Sequence, residues 1–160
     1  VVGSGPNTPM FVSFYRNQKF PPALPPFAEK LAPVERFLFH DSLFQVRSGE
    51  TIRFQSPGLY LFQEDTAAAE GFTMMAVPPP FPKFNRVEQI RDPLMYVCTP
   101  DEYKSLEAAG SDKALFDKVI LEITRDKDRA RNFMRSYFRR VELANTYFTS
   151  YKEGWRSDRG

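Results

Sequence analysis

Several groups of side chains in this sequence have types and spacings that could do chemistry. The densest is the terminal run Gly154-Trp155-Arg156-Ser157-Asp158-Arg159-Gly160, which sets the only tryptophan among glycines, arginines and an aspartate. One reading is catalytic. Glu153 and Asp158 would act as acid and base, with an arginine holding an anion. The other reading is binding. Trp155 offers a large apolar face and one N–H donor, and Arg156, Asp158 and Arg159 can fix a turn through charge-assisted hydrogen bonds. A lone aspartate without a positioned partner makes a poor proton shuttle, so Trp155, Arg156, Asp158 and Arg159 are taken as binding residues and no catalytic residue is assigned.

The remaining groups are weaker. Cys98 and His40 are the only cysteine and histidine, which excludes an intrachain disulfide and leaves too few ligands for a Cys/His zinc site. A thiol–imidazole pair of these two is conceivable. However, Cys98 sits among Leu94, Tyr96 and Val97 beside a helix start, which reads as packing. Serine hydrolase chemistry would need His40 as base and a GxSxG elbow, and the elbow is absent. Glu64-Asp65-Thr66 has two carboxylates, but alanines follow where calcium would need further oxygens. Arg125, Lys127, Arg129, Arg131, Arg135, Arg139 and Arg140 could meet phosphate, although Asp126, Asp128 and Glu142 dilute the field. Gly3-Ser4-Gly5-Pro6 resembles a phosphate loop only superficially and reads as linker.

These groups must be positioned by regular elements, and the hydrophobic period changes along the chain. Residues 10–15 carry enough alternating bulk for a strand. Prolines 21, 22, 25, 26 and 33 then impose extended, polyproline-like chain; Pro22-Ala23-Leu24-Pro25 matches a PxxP pattern, but a stiff connector is the plainer reading. Phe44 with Val46, and Ile52 with Phe54, alternate on either side of Ser48-Gly49-Glu50, which predicts a hairpin. Strands are also predicted over 59–63 and 72–77. Pro78-Pro79-Pro80-Phe81-Pro82 marks a second stiff linker.

Beyond it the period becomes helical. Thr99-Pro100-Asp101-Glu102 predicts an N-cap, a first-turn proline and a capping box, and Gly110 predicts the stop. Ser111 or Asp112 can cap a second helix with Leu115, Phe116, Val119, Ile120 and Ile123 on one stripe. A third helix over about 128–151 buries Ala130, Phe133, Met134, Tyr137, Phe138, Val141, Ala144 and Phe148 and turns its arginines to solvent. Gly154 is then placed to reverse the chain and bring Trp155 toward Phe148 and Tyr151.

The fold class expected is α+β: an N-terminal antiparallel β-meander or sandwich-like region, then a helical region of about three helices. The organisation expected is an extended proline-rich lead-in with one strand over 1–36, a β region over 37–77, a proline-rich linker over 78–93 and a helical part over 94–160.

The motifs Pro57-Gly58-Leu59-Tyr60-Leu61-Phe62, Phe81-Pro82-Lys83, Arg86-Val87-Glu88, Pro93-Leu94-Met95-Tyr96, Thr99-Pro100-Asp101-Glu102-Tyr103, Asp128-Arg129-Ala130-Arg131 and Tyr147-Phe148 occur in this order. With Ser150-Tyr151-Lys152-Glu153-Gly154-Trp155 they resemble the GWxTD-domain family of Bacteroidota envelope proteins. Ser157 stands where that family usually has threonine. The resemblance implies a cell-envelope location, periplasmic or outer-membrane associated, with other envelope proteins as partners. Family domains continue past the arginine–glycine with a hydrophobic strand and a Gly-Pro-Pro turn, whereas this sequence stops at Gly160. The resemblance therefore implies a chain truncated at the motif, with the missing downstream segment of its own domain as a further partner.

Composition bounds the rest. The 160 residues suit one domain or little more, and 42% hydrophobic residues supply a core. A net charge of +2 gives no ground for a nucleic-acid partner. No apolar run reaches the ~18 residues of a membrane span. No signal peptide is visible and the chain opens on Val1, as expected of a processed or trimmed chain or a fragment. No cofactor and no metal is implied. The function expected is a non-catalytic envelope interaction or scaffold module within a larger assembly. The alternatives are an enzyme of unknown reaction using Asp158 and Glu153, or anionic-surface or nucleic-acid binding by the arginine-rich helix.

Overall fold

The computed structural model describes residues 7–25 and 38–159. The glycine-rich run 3–6, Pro26, Pro33 and Gly160 lie outside the described residues. The chain divides into a sheet unit, with described residues 7–21, 38–79 and 150–152, and a helical unit, with 22–25, 80–149 and 153–159. The mixed α+β class expected from the sequence is the class observed.

The sheet unit is one four-stranded antiparallel sheet in the order β2-β1-β3-β4. Its strands are β1 (Pro9–Arg16), β2 (Ser42–Arg47), β3 (Gly58–Gln63) and β4 (Phe72–Ala76). β1, read as part of a lead-in, is a central strand. It pairs with β2 through Val12↔Phe44 and with β3 through Val12↔Phe62, and Val12 is fully buried. Met10, Val12 and Phe14 from β1 and Tyr60 and Phe62 from β3 share one face, as a period of two requires, and form the core.

The hairpin expected across Ser48-Gly49-Glu50 is not formed. β2 pairs with β1, and residues 51–55 are not a strand. The alternation of Ile52 and Phe54 has a different cause. Both side chains pack on the sheet core, with Phe54 against Tyr60 at 4.4 Å between ring centroids and edge-on to Phe62 at 6.4 Å. An extended segment laid over a sheet shows the same period as a strand in it. Tyr151, expected beside Trp155, belongs to the sheet unit and sets its ring edge-on to Phe20 at 5.7 Å.

The helical unit holds α1 (Val87–Arg91), α2 (Pro100–Ala108), α3 (Lys113–Thr124) and α4 (Lys127–Phe148). α1 and the 3-10 turn Asp92–Tyr96 begin within the stretch 78–93 that its prolines marked as linker. Thr99 caps α2 as expected: its hydroxyl accepts from Glu102 N–H at 3.4 Å, and the Glu102 carboxylate accepts from Thr99 N–H at 2.8 Å. Gly110 ends that segment with φ +58°, which favours glycine. Asp112 caps α3, accepting from the amides of Ala114 and Leu115. Leu94, Cys98, Leu106, Ala109, Phe116, Ile120 and Ala130 are the core of the helices. Two predicted stripe residues fall outside the buried face: Leu115 is 48% and Phe148 42% exposed.

Candidate functional site

α4 runs for 22 residues, so its buried stripe reaches from Ala130 to Asn145. On that stripe Val141 and Ala144 belong to a second small core with Trp155, flanked by Phe84, Met95, Tyr96, Tyr137 and Phe138. Asn145 is the polar exception, at 1% exposure. A buried amide must be paired, and this one is paired twice. Its Nδ2 donates to the Pro82 carbonyl and its Oδ1 accepts from Trp155 N–H, both at 3.3 Å. Asn145 thereby ties the terminal run to the helix and to the segment before α1.

Around that tie the terminal run closes on itself. α4 ends at Phe148, where Thr149 Oγ1 donates to the Asn145 carbonyl at 2.6 Å and accepts from Gly154 N–H at 3.0 Å. The residues Gly154–Arg156 form a 3-10 turn in which Trp155 is 5% exposed. Trp155 Nε1 donates to Glu153 Oε2 at 2.7 Å, and Arg156 Nε lies 3.5 Å from the same oxygen. The Arg156 guanidinium sits over the indole, 5.0 Å from its centroid. Side-chain exposures of 15% for Arg156 and 14% for Glu153 shield this ion pair from solvent. Ser157 Oγ donates to the Gly154 carbonyl at 2.7 Å, a bond that threonine could make equally well.

Gly154 and Trp155 differ in detail from the sequence expectation. Gly154 does not sit at positive φ; a Cβ there would overlap the backbone carbonyl of Ala144. The glycine is required by close approach of two backbones and not by a left-handed turn. For the same reason the indole reaches back to Val141 and Ala144, more than a helical turn beyond the Phe148 that was expected to receive it.

Of the four predicted binding residues, Trp155 and Arg156 meet in this clasp, while Asp158 and Arg159 are exposed beyond it. Asp158 still acts electrostatically. Burial pushes the phenol of Tyr96 up, with Arg156 opposing and Asp158 reinforcing that shift. Tyr96 stands edge-on to Trp155 at 6.4 Å. Glu153, the acid–base partner of the catalytic alternative, is held by the indole N–H and Arg156. Asn145 and Tyr96 were not singled out as site residues. The readable signal for Asn145 was an amide in line with an apolar stripe, since such a residue is buried only with fixed partners.

The other candidates lie apart from the clasp. Cys98 is in the helical core, where burial and the nearby Glu102 charge push its thiol up to about 11. His40 is exposed in the sheet unit. Asp65 Oδ1 accepts from Ala67 N–H in a turn, and no cluster fit for a metal occurs among the described residues. Arg129, Arg131, Arg135, Arg139 and Arg140 are exposed along α4, with Arg131 paired to Asp128 at 3.2 Å. Among the described residues no helix is long and apolar enough to cross a membrane.

No curated protein and no solved structure matches the chain. A family model, the GWxTD domain, matches residues 58–160. That span includes β3 and β4, α1 to α4 and the whole clasp, and the chain belongs to the GWxTD domain family.

Proposed function

We propose that this chain is a non-catalytic interaction or scaffold module of the cell envelope, periplasmic or outer-membrane associated, working within a larger protein assembly. The observation that carries this reading is the closure of the signature. Glu153, Trp155 and Arg156 are engaged with one another and with Asn145, which gives their chemistry a structural use. The sheet unit adds surface of the kind that partners cover: Phe39 is 79%, Phe72 50% and Met74 47% exposed, and β4 is an edge strand without a charge or a proline.

Affinity isolation of the native protein from solubilised membranes, paired with an activity screen, tests the reading. Recovery of a fixed set of envelope proteins at constant stoichiometry supports it. Isolation of the chain alone, with a turnover abolished by Asp158→Asn, would replace it with the enzymatic reading.

A further inference from the structure

The run Pro21-Pro22-Ala23-Leu24-Pro25 contains two residues with a backbone N–H, Ala23 and Leu24. Ala23 belongs to the helical unit, and both of its backbone polar groups are taken there. Its N–H donates to the Arg156 carbonyl at 2.8 Å, and its carbonyl accepts from Tyr96 Oη at 2.7 Å. Each half of this grip is held in place. Arg156 N–H donates to the Glu153 carbonyl at 2.9 Å while its side chain lies over Trp155, and the Tyr96 ring is in edge-on contact with the indole. A phenol is protonated at neutral pH, as a donor must be, and burial pushes that of Tyr96 further up. The signature residues thus form a fixed acceptor and a fixed donor, spaced to take both polar groups of one residue.

Such a grip selects a particular kind of chain. Prolines on either side hold the strand extended before it binds, so little conformational freedom is lost. They also bring no N–H that docking would leave unsatisfied. Proline-rich segments are commonly taken up in aromatic-lined grooves, and here the phenol that meets the Ala23 carbonyl belongs to a ring paired edge-on with Trp155.

We propose that the Tyr96–Arg156 grip is a recognition site for extended, proline-flanked segments of other proteins, filled in this structure by the chain's own residues 22–25. This deepens the interaction-module reading by naming the kind of segment taken. The own segment acts as a tethered competitor, since attachment gives it an effective concentration of about millimolar. Its release exposes the grip to a partner.

The test uses the full chain and a fluorescently labelled peptide of residues 20–25, followed by anisotropy. Ala23→Pro in the protein removes the donated N–H and vacates the grip. Pro22→Ser with Pro25→Ser vacates it differently, by loosening the strand. The peptide is expected to bind both variants saturably, and about tenfold more tightly than it binds the unaltered chain. Adding Tyr96→Phe should weaken that binding by about tenfold, through loss of one hydrogen bond. A peptide carrying proline at its own Ala23 position should not compete. The proposal is overturned if neither variant binds the peptide with circular dichroism unchanged. It is equally overturned if binding is the same in every protein and indifferent to Tyr96→Phe. Because the assay is blind to envelope location and assembly, its failure would leave the scaffold reading standing.

Discussion

Replacing Trp155 with alanine removes the centre of the second helical core. The ring is 5% exposed and packs against Val141 and Ala144. An indole buries on the order of 200 Å². At about 25 cal/mol per Å² that area is worth about 5 kcal/mol. Alanine keeps part of it, and an extended-chain reference overstates the area, so the expected loss is about 3 kcal/mol. Loss of Nε1 also leaves the shielded Glu153 carboxylate with Arg156 alone. Trp155→Phe separates the terms: it keeps most of the apolar burial and loses the N–H, so about 1–2 kcal/mol should go. Urea unfolding followed by circular dichroism is the assay, because the substitution removes the chain's only tryptophan fluorophore. With two units in the chain, the transition of the helical unit must be resolved before a free energy is assigned. A loss below ~1 kcal/mol for the alanine variant would refute the reasoning, since a ring that holds the clasp together cannot be that cheap to remove.

Three further outcomes follow from the same geometry. Gly154→Ala should cost about as much as Trp155→Ala, about 3 kcal/mol, because its Cβ would meet the Ala144 carbonyl and lift the turn; a red shift in Trp155 emission would report it. Thr99→Ala should destabilise the helical unit by about 1 kcal/mol in urea titrations, through loss of the capping box. Stability should fall with alkaline pH: burial raises the Cys98 thiol from 9.0 to about 11 and raises Tyr96, Tyr103 and Tyr137 as well, so the folded state holds protons that the unfolded state releases earlier. The Cys98 part of this stabilisation is complete below pH 9 and is lost as pH climbs through about 11, which urea midpoints measured across that range would record.

Much of the helical unit was legible because its signals are local. The Thr99–Glu102 box, Gly110 and the stripe of α4 each depend on residues within a few turns of one another; the box and the glycine appear where they were read, and the stripe does so up to Ala144, with Phe148 at the helix end left exposed. The sheet was legible strand by strand but not in its order. β1 lies between β2 and β3 through pairings such as Phe14↔Tyr60, and nothing near Phe14 announces such a partner. Ile52 and Phe54 misled because packing on a sheet and pairing within one impose the same alternation. At the site the identity of the anchor was readable and its seat was not. Gly154 offered two physical reasons for a glycine, and only its distance from Ala144 decides between them. The grip on Ala23 was beyond reach, since its Tyr96 donor lies 73 residues away.

The central claim is that the signature residues close on themselves to build a binding platform and do not form a catalytic pair. The proton–nitrogen resonance of the Trp155 indole, the single indole in the chain, tests it most directly. The account predicts an indole proton that exchanges slowly with solvent and whose resonance shifts on Glu153→Gln but stays in place on Asp158→Asn. An indole proton that exchanges as fast as free tryptophan and ignores Glu153→Gln would contradict it.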